Sequence, residues 1–131
     1  MKKTILTISA TLIIQCIAFA QVEELFSSCL KCDLEGVKKA IEKGVDVNAP
    51  NPTSKQNALA YSYFCPEVTR YLLEKKCDPN GGSYPAIISA SSVGSYEVMQ
   101  LLLDNGADPN KSALTMNALI QVVKMTNCAE C

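Results

Sequence analysis

The sequence predicts an all-α fold in which short helix-turn-helix units stack into a solenoid. The first observation behind this prediction is internal repetition, since the segment Leu101–Asn110 recurs in modified form as Leu72–Asn80 and as Ala40–Asn48. The second is its period, since the closing asparagines are 32 and 30 residues apart. A self-similar period of this length is typical of stacked repeats, whose single units cannot bury their apolar faces alone.

Each copy of the repeated segment predicts the second helix of a unit. Glu35, Glu67 and Glu97 each lie thirteen positions before the closing asparagine, at the expected helix start. A carboxylate there is stabilised by the positive end of the helix dipole. The apolar positions that follow share helical spacing, which predicts one buried stripe per helix. They are Val37, Ala40 and Ile41, then Val68, Leu72 and Leu73, then Val98, Leu102 and Leu103.

A sharp exit is expected after each of these helices. Gly44 and Gly106 come just after the helix end, where the left-handed backbone conformation favours glycine. The middle copy has Lys76 at this position, so Lys76 should have a positive φ if all three exits share one geometry. Aspartates that favour an Asx turn follow each exit, and prolines that stop a helix follow two of them. These residues are Asp46, Asp78, Asp108, Pro79 and Pro109.

A shorter apolar segment precedes each of these helices and predicts the first helix of the unit. The three segments are Val22–Lys31, Asn57–Phe64 and Pro85–Val93. Asn57 suits an N-cap, and Pro85 suits the first turn of a helix. The predicted unit is therefore helix, turn, helix, loop.

These residues resemble the ankyrin repeat family. The stretch Glu97–Asn110 is similar to the family consensus almost throughout. The first helices depart from it, with Asn57-Ala58-Leu59-Ala60 where the family usually has Thr-Pro-Leu-His. The resemblance covers roughly residues 22–131 and implies an ankyrin-type helix-turn-helix repeat solenoid. The implied repeats span about 22–50, 57–80 and 84–110, with an incomplete repeat at 117–131.

The incomplete fourth repeat begins at Asn117 and offers only a first helix before the chain ends at Cys131. Terminal repeats normally present a polar outer face, whereas this half repeat contains Leu119, Val122 and Val123. Either the chain is a fragment of a longer array, which is the preferred interpretation, or something else covers its end. The partly exposed apolar face of the third helix pair predicts self-association through the incomplete repeat, or a gain in stability when a full capping repeat is added.

The first twenty residues have the pattern of a secretory signal peptide. Met1-Lys2-Lys3 is a basic start, an apolar run follows, and Ala18-Phe19-Ala20 suits cleavage before Gln21. The alternative is a membrane anchor, but the apolar run is short for a span and contains Gln15. We therefore expect 21–131 to be an exported repeat domain, periplasmic or secreted and of bacterial type, with no membrane association after cleavage.

Composition and charge exclude several classes of function. Removing the leader from the 131-residue chain leaves 111 residues with 10 basic and 13 acidic side chains, a formal charge of −3. No basic block supports nucleic-acid binding. The chain has no histidine, which removes the Ser-His and Cys-His nucleophile pairs. No catalysis and no cofactor is expected.

Six cysteines remain after the leader: Cys29, Cys32, Cys65, Cys77, Cys128 and Cys131. An even number in an exported chain raises the prospect of disulfides. The spacing leaves two alternatives open, namely local Cys29–Cys32 and Cys128–Cys131 bridges or free thiols. A metal site shared by these two pairs is not expected, because they belong to the first and fourth units.

The resulting functional hypothesis is an exported module for protein–protein interaction. The family resemblance implies contacts from the loop tips and from the exposed side of the first helices. For Tyr61, the alternative to partner contact is ordinary packing in the groove between units. A redox or oxidative-stress protection role carried by the cysteines is the alternative function. The candidate partner-binding residues are Lys55, Gln56, Tyr61, Tyr84, Lys111 and Gln121.

Overall fold

The computed structural model describes residues 2–111, with side chains from residue 9 onward. Within these residues every regular element is a helix and no strand occurs, so the all-α prediction is confirmed. The predicted fourth repeat lies outside the described residues. The helices are α1 (Lys2–Leu30), α2 (Leu34–Glu42), α3 (Ala58–Tyr61), α4 (Pro66–Glu74), α5 (Ala86–Ser92) and α6 (Tyr96–Asp104).

The six helices form three consecutive pairs that stack into two rows. The helices α1, α3 and α5 pack in one row, and α2, α4 and α6 pack in the other. Each pair has an apolar face that only its neighbours can cover, which is why the rows form. The core runs between the rows and includes the fully buried residues Leu25, Leu59, Ile87, Val37, Leu72 and Leu102.

Two helix starts show how the sequence sets the boundaries. Asp33 caps α2 by accepting the Gly36 amide at 3.0 Å. Asn57 caps α3 by accepting the Ala60 amide at 3.2 Å, as predicted. The same Asn57 side chain donates to the carbonyl oxygen of Asp78 at 2.7 Å, which ties the start of the second repeat to its exit.

The three repeat exits share one backbone geometry. The amides of Gly44, Lys76 and Gly106 each donate to the carbonyl three residues earlier, at 3.0 Å in every case. The following amide donates five residues back, which completes a Schellman motif. The φ angles are 96°, 65° and 90°, so the predicted positive φ of Lys76 is confirmed.

The closing asparagines connect each repeat to the next. The Asn48 side chain donates to the Lys76 carbonyl at 3.2 Å and accepts the Asp78 amide at 2.7 Å. Asn80 makes the same two bonds to the exit of the third repeat, at 2.9 and 2.8 Å. The repeated asparagine therefore satisfies backbone groups that the helix end leaves unpaired.

Helix α1 joins the predicted leader and the first helix of the repeat in one element. Every described side chain from Ser9 to Ala20 is exposed, whereas Leu25 and Phe26 are buried. Ser9–Leu30 is long and apolar enough to cross a membrane by length and composition, and it lies near the N-terminus. Burial against the array begins only after Gln21, so the part before it contributes nothing to the core.

Helix α3 is one turn long, shorter than the predicted Asn57–Phe64. Polar side chains replace the missing turn. The Ser62 hydroxyl bonds to the Leu59 carbonyl at 3.2 Å and to the Thr69 hydroxyl at 2.9 Å, and Thr69 donates to the Ser62 carbonyl at 3.0 Å. These buried bonds hold α3 against α4 without further helix.

Candidate functional site

A groove lies between the first helices of repeats 1 and 2 and the loop that connects these repeats. We call it the loop groove, and its volume is about 390 Å³. A groove of this size accommodates a few side chains of a partner. The lining residues are Glu23, Phe26, Ser27, Leu30, Asn51, Thr53, Ser54 and Tyr61.

The wall of the loop groove is held by an aromatic pair and a hydroxyl pair. The rings of Phe26 and Tyr61 have centroids 4.9 Å apart and are tilted by 59°. Such a tilted pair is a favoured aromatic arrangement. The Tyr61 hydroxyl lies 2.8 Å from the Ser54 hydroxyl oxygen, which fixes the ring to the loop.

Buried Asn51 organises the loop wall. Its side-chain oxygen accepts hydrogen bonds from the backbone amides of Thr53 and Ser54 at 2.9 and 3.0 Å. Its backbone amide donates to the backbone carbonyl oxygen of Gln56 at 2.7 Å. An asparagine that bonds to amides two and three residues later fixes a turn locally. The loop is therefore preorganised before any partner binds.

The next loop along the chain joins this wall. Ser83 donates its amide to the Lys55 carbonyl at 3.0 Å and its hydroxyl to the Ser54 carbonyl at 2.9 Å. Gly82 has a φ of 82°, and a Cβ there would lie 2.8 Å from the Asn57 amide nitrogen. Only glycine permits this close approach of the two loops.

The structure brings some of the predicted partner-binding residues to the loop groove. Tyr61 lines it, and Lys55 and Gln56 belong to the loop that forms its wall. Lys55 is exposed, and its ammonium donates to the carbonyl of Pro52 in the same loop at 2.7 Å.

The remaining predicted residues lie elsewhere. Tyr84 is half-buried against the core, in the loop between repeats 2 and 3. Lys111 follows the third repeat and is exposed, and its ammonium donates to the carbonyl oxygen of Asn80 at the end of the second repeat. Gln121 lies outside the described residues, as do Cys128 and Cys131.

Sequence reasoning missed Leu30 and Asn51 as groove residues. Leu30 ends α1 and is 43% exposed although it belongs to an otherwise apolar segment. The helical spacing places it next to the buried stripe, which hides its exposure in the sequence. Asn51 follows a proline in a polar loop, and a single sequence gives no signal for its buried position.

The cysteines pair differently from the prediction. Cys32 forms a disulfide with Cys65, across a sequence separation of 33 residues and a Cα–Cα distance of 5.5 Å. The predicted Cys29–Cys32 bridge is therefore wrong. Cys29 is fully buried in α1, whereas Cys32 has a φ of 56° in the turn after α1. The separation is close to one repeat period, which is the signal that could have indicated the true pair.

A second cavity of about 300 Å³ lies at this disulfide. Cys32 is exposed, and Cys65 is 3% exposed. Cys65 is also the N-cap residue of α4, so its sulfur is placed at the start of that helix. The other lining residues are Phe64, Pro66, Glu67, Val68 and Glu97.

Two further thiols are buried and unreactive. Burial raises the pKa of Cys29 from 9.0 to about 12. Burial also raises the pKa of Cys77 from 9.0 to about 12, and its sulfur lies 3.3 Å from the Val47 carbonyl oxygen. A neutral thiol is a weak nucleophile, so neither residue is placed for chemistry.

The outer surface of the second helices carries mixed charge. Arg70 lies 3.6 Å from the Glu97 carboxylate of the next repeat, and both side chains are exposed. An exposed pair of this kind contributes little to stability because solvent screens it. Within residues 9–111, no group of three or more His, Cys, Asp or Glu side chains is arranged to hold a metal ion.

The fold is that of a helical repeat protein, because its helix pairs stack, its three repeat exits share one geometry, and its closing asparagines bond each repeat to the next. Proteins of this class offer an extended surface. The chain belongs to the ankyrin repeat family: the family's three-copy model, described as ankyrin repeats, matches residues 25–113. The prediction of this family is therefore confirmed. A comparison with curated proteins found none that matches the chain.

Proposed function

We propose that this chain is exported and binds a protein partner through the loop groove. Ankyrin repeats generally act as protein–protein interaction modules, and the family is typically non-catalytic. The observation that carries the proposal is the preorganised groove itself, which has apolar groups inside and hydroxyl and amide groups around them. Such a mixture suits a peptide segment that inserts an apolar side chain and pairs its backbone with the edges.

Leu30 and Glu23 define the chemistry of the expected segment. Leu30 leaves 43% of its surface for an apolar side chain of the partner. Glu23 lines the same groove and favours a basic residue beside that anchor. Covering the exposed part of Leu30 contributes about 1 kcal/mol, while a carboxylate there would add a desolvation cost. Leu30→Asp is therefore expected to weaken partner binding by about tenfold or more.

Leu103→Asp is the matched control for this experiment. Leu103 is 40% exposed and lies in the last turn of α6, just as Leu30 ends α1. Both changes place an acid at a helix C-terminus and cost similar stability, but only Leu30 lines the loop groove. Affinity for a partner isolated with the full chain is measured for both variants. Equal affinities would contradict the proposed binding site.

Export rests on the leader. The described leader side chains are all exposed, and the basic start and the small residues near Ala20 match a signal peptide. We expect the exported protein to begin at Gln21, in the periplasm of a bacterium or outside the cell. N-terminal analysis of the exported protein is the test, and an intact Met1 would contradict cleavage.

A further inference from the structure

We propose that the Cys32–Cys65 disulfide is a thiol-exchange site, at which a small uncharged dithiol attacks the sulfur of Cys32 and opens the covalent link between repeats 1 and 2. The disulfide joins the turn after α1 to the start of α4, so it connects two units that otherwise contact only by packing and hydrogen bonds. This inference does not depend on the partner proposed above.

Accessibility decides which sulfur is attacked. Cys32 is exposed, whereas Cys65 is buried, with 3% of its surface exposed. Exchange rates depend on access and on which sulfur is reached, so the nucleophile meets Cys32 first. The adjoining cavity of about 300 Å³ is large enough for a small dithiol and is too small for a folded protein domain.

The position of Cys65 suits its role as the leaving group. It is the N-cap residue of α4, where the helix dipole offsets part of the cost that burial imposes on the departing thiolate. Its sulfur lies 3.6 Å from the carbonyl oxygen of Cys29. After reduction and protonation, the Cys65 thiol can therefore donate to a carbonyl that is already in place.

The charges around the cavity favour an uncharged reductant. Glu67 and Glu97 both line it, and Glu97 is paired with Arg70. Among residues 9–111 Glu67 has no ion-pair partner, so its carboxylate repels an anionic thiol. An uncharged dithiol approaches without this repulsion, and its attacking thiolate carries a single negative charge, one fewer than a thiolate that also has a carboxylate.

The exchange balances in two steps. A thiolate of the dithiol bonds to the Cys32 sulfur, the Cys32–Cys65 bond breaks, and Cys65 leaves as a thiolate that takes a proton. The second thiol of the reductant loses its proton and attacks the mixed disulfide, which releases Cys32 as a thiol. Two electrons and two protons reach the protein, and the reductant becomes a cyclic disulfide.

The first experiment exposes the oxidised full chain to 2-mercaptoethanol without denaturant for a short time, followed by acid quenching and peptide mass spectrometry. Trypsin cuts after Lys31, Lys38 and Lys55, so Cys29, Cys32 and Cys65 fall on separate peptides. We expect the adduct on Cys32 and a free thiol on Cys65. An adduct on Cys65, or reduction only after urea is added, would overturn the proposal.

The second experiment uses dithiothreitol followed by N-ethylmaleimide on the folded protein. Cys32 should be labelled and Cys29 should remain unlabelled, because Cys29 is fully buried. The matched variant is Cys32→Ser, whose hydroxyl keeps most of the volume of the Cys32 sulfur next to Cys65. In this variant the Cys65 thiol should stay unlabelled, since it is buried. Rapid labelling of Cys65 there would show that access does not run through Cys32.

Discussion

Replacing Lys76 by glycine is expected to stabilise the array. Lys76 has a φ of 65°, at the position that Gly44 and Gly106 occupy with φ of 96° and 90°. A residue with a Cβ resists this conformation by about 1–2 kcal/mol. Glycine loses more entropy on folding, by about 0.4–1 kcal/mol. The expected net gain for Lys76→Gly therefore lies between about 0 and 1.6 kcal/mol, with a central value of about 0.8 kcal/mol.

Lys75 supplies the control, because it is the same residue type one position earlier. It has a φ of −79°, which any residue adopts readily, and its ammonium lies 5.5 Å from the Tyr71 ring centroid. Lys75→Gly should therefore destabilise the protein by up to about 1 kcal/mol. The two variants should move the urea midpoint in opposite directions, each by roughly half a molar unit.

The reverse change completes the test. A Cβ built on Gly106 meets no atom within 4 Å, so Gly106→Lys is penalised by its backbone conformation alone. We expect a loss of up to about 1 kcal/mol in the free energy of unfolding. If Lys76→Gly destabilises as much as Lys75→Gly does, the shared exit geometry is not what limits stability, and the reasoning fails.

Three further predictions concern links between and within the repeats. Asn80→Ala removes two hydrogen bonds to the third repeat and should cost about 1–3 kcal/mol in urea unfolding; no change would show that water replaces both bonds. Replacing Cys32 and Cys65 together opens a loop of 33 residues, which should lower stability by about 3.7 kcal/mol on the chain-entropy estimate, and a loss under 1 kcal/mol would contradict that estimate. The pKa values of Cys29 and Cys77 are raised from 9.0 to about 12, so the folded protein keeps both protons where the unfolded chain releases them. These two thiols should therefore leave the free energy of unfolding unchanged below pH 9 and lower it between pH 9 and 12. The urea midpoint should be lower at about pH 10 than at about pH 8, and equal midpoints would contradict the prediction.

The sequence predicts the parts of the fold that depend on local rules. The positive φ of Lys76 follows from aligning three copies, because the chain must turn in the same way after each helix. The cap at Asn57 follows from residue type alone. Both features involve residues within a few positions of one another, so a single sequence contains the needed information.

Features that depend on stacking were not predictable in the same way. Asn48 marks the repeat end, but its hydrogen-bond partners lie 28 and 30 residues further on. The short spacing of Cys29 and Cys32 favours a local bridge, whereas Cys32 and Cys65 come to a Cα–Cα distance of 5.5 Å only when repeats 1 and 2 stack. Leu30 was missed as a groove residue because burial depends on how the loop between repeats folds over α1.

The Cys32–Cys65 disulfide also determines how the protein responds to force. When a chain is pulled from its two ends, the 33-residue segment between the bridged cysteines cannot extend, because the load passes through the sulfur–sulfur bond. That segment would otherwise contribute about 110 Å of contour length, at roughly 3.4 Å per residue. When the oxidised protein is stretched, the second helix of the first repeat therefore bears no load, while the third repeat unfolds. Adding a reductant under load lengthens the molecule by about that amount.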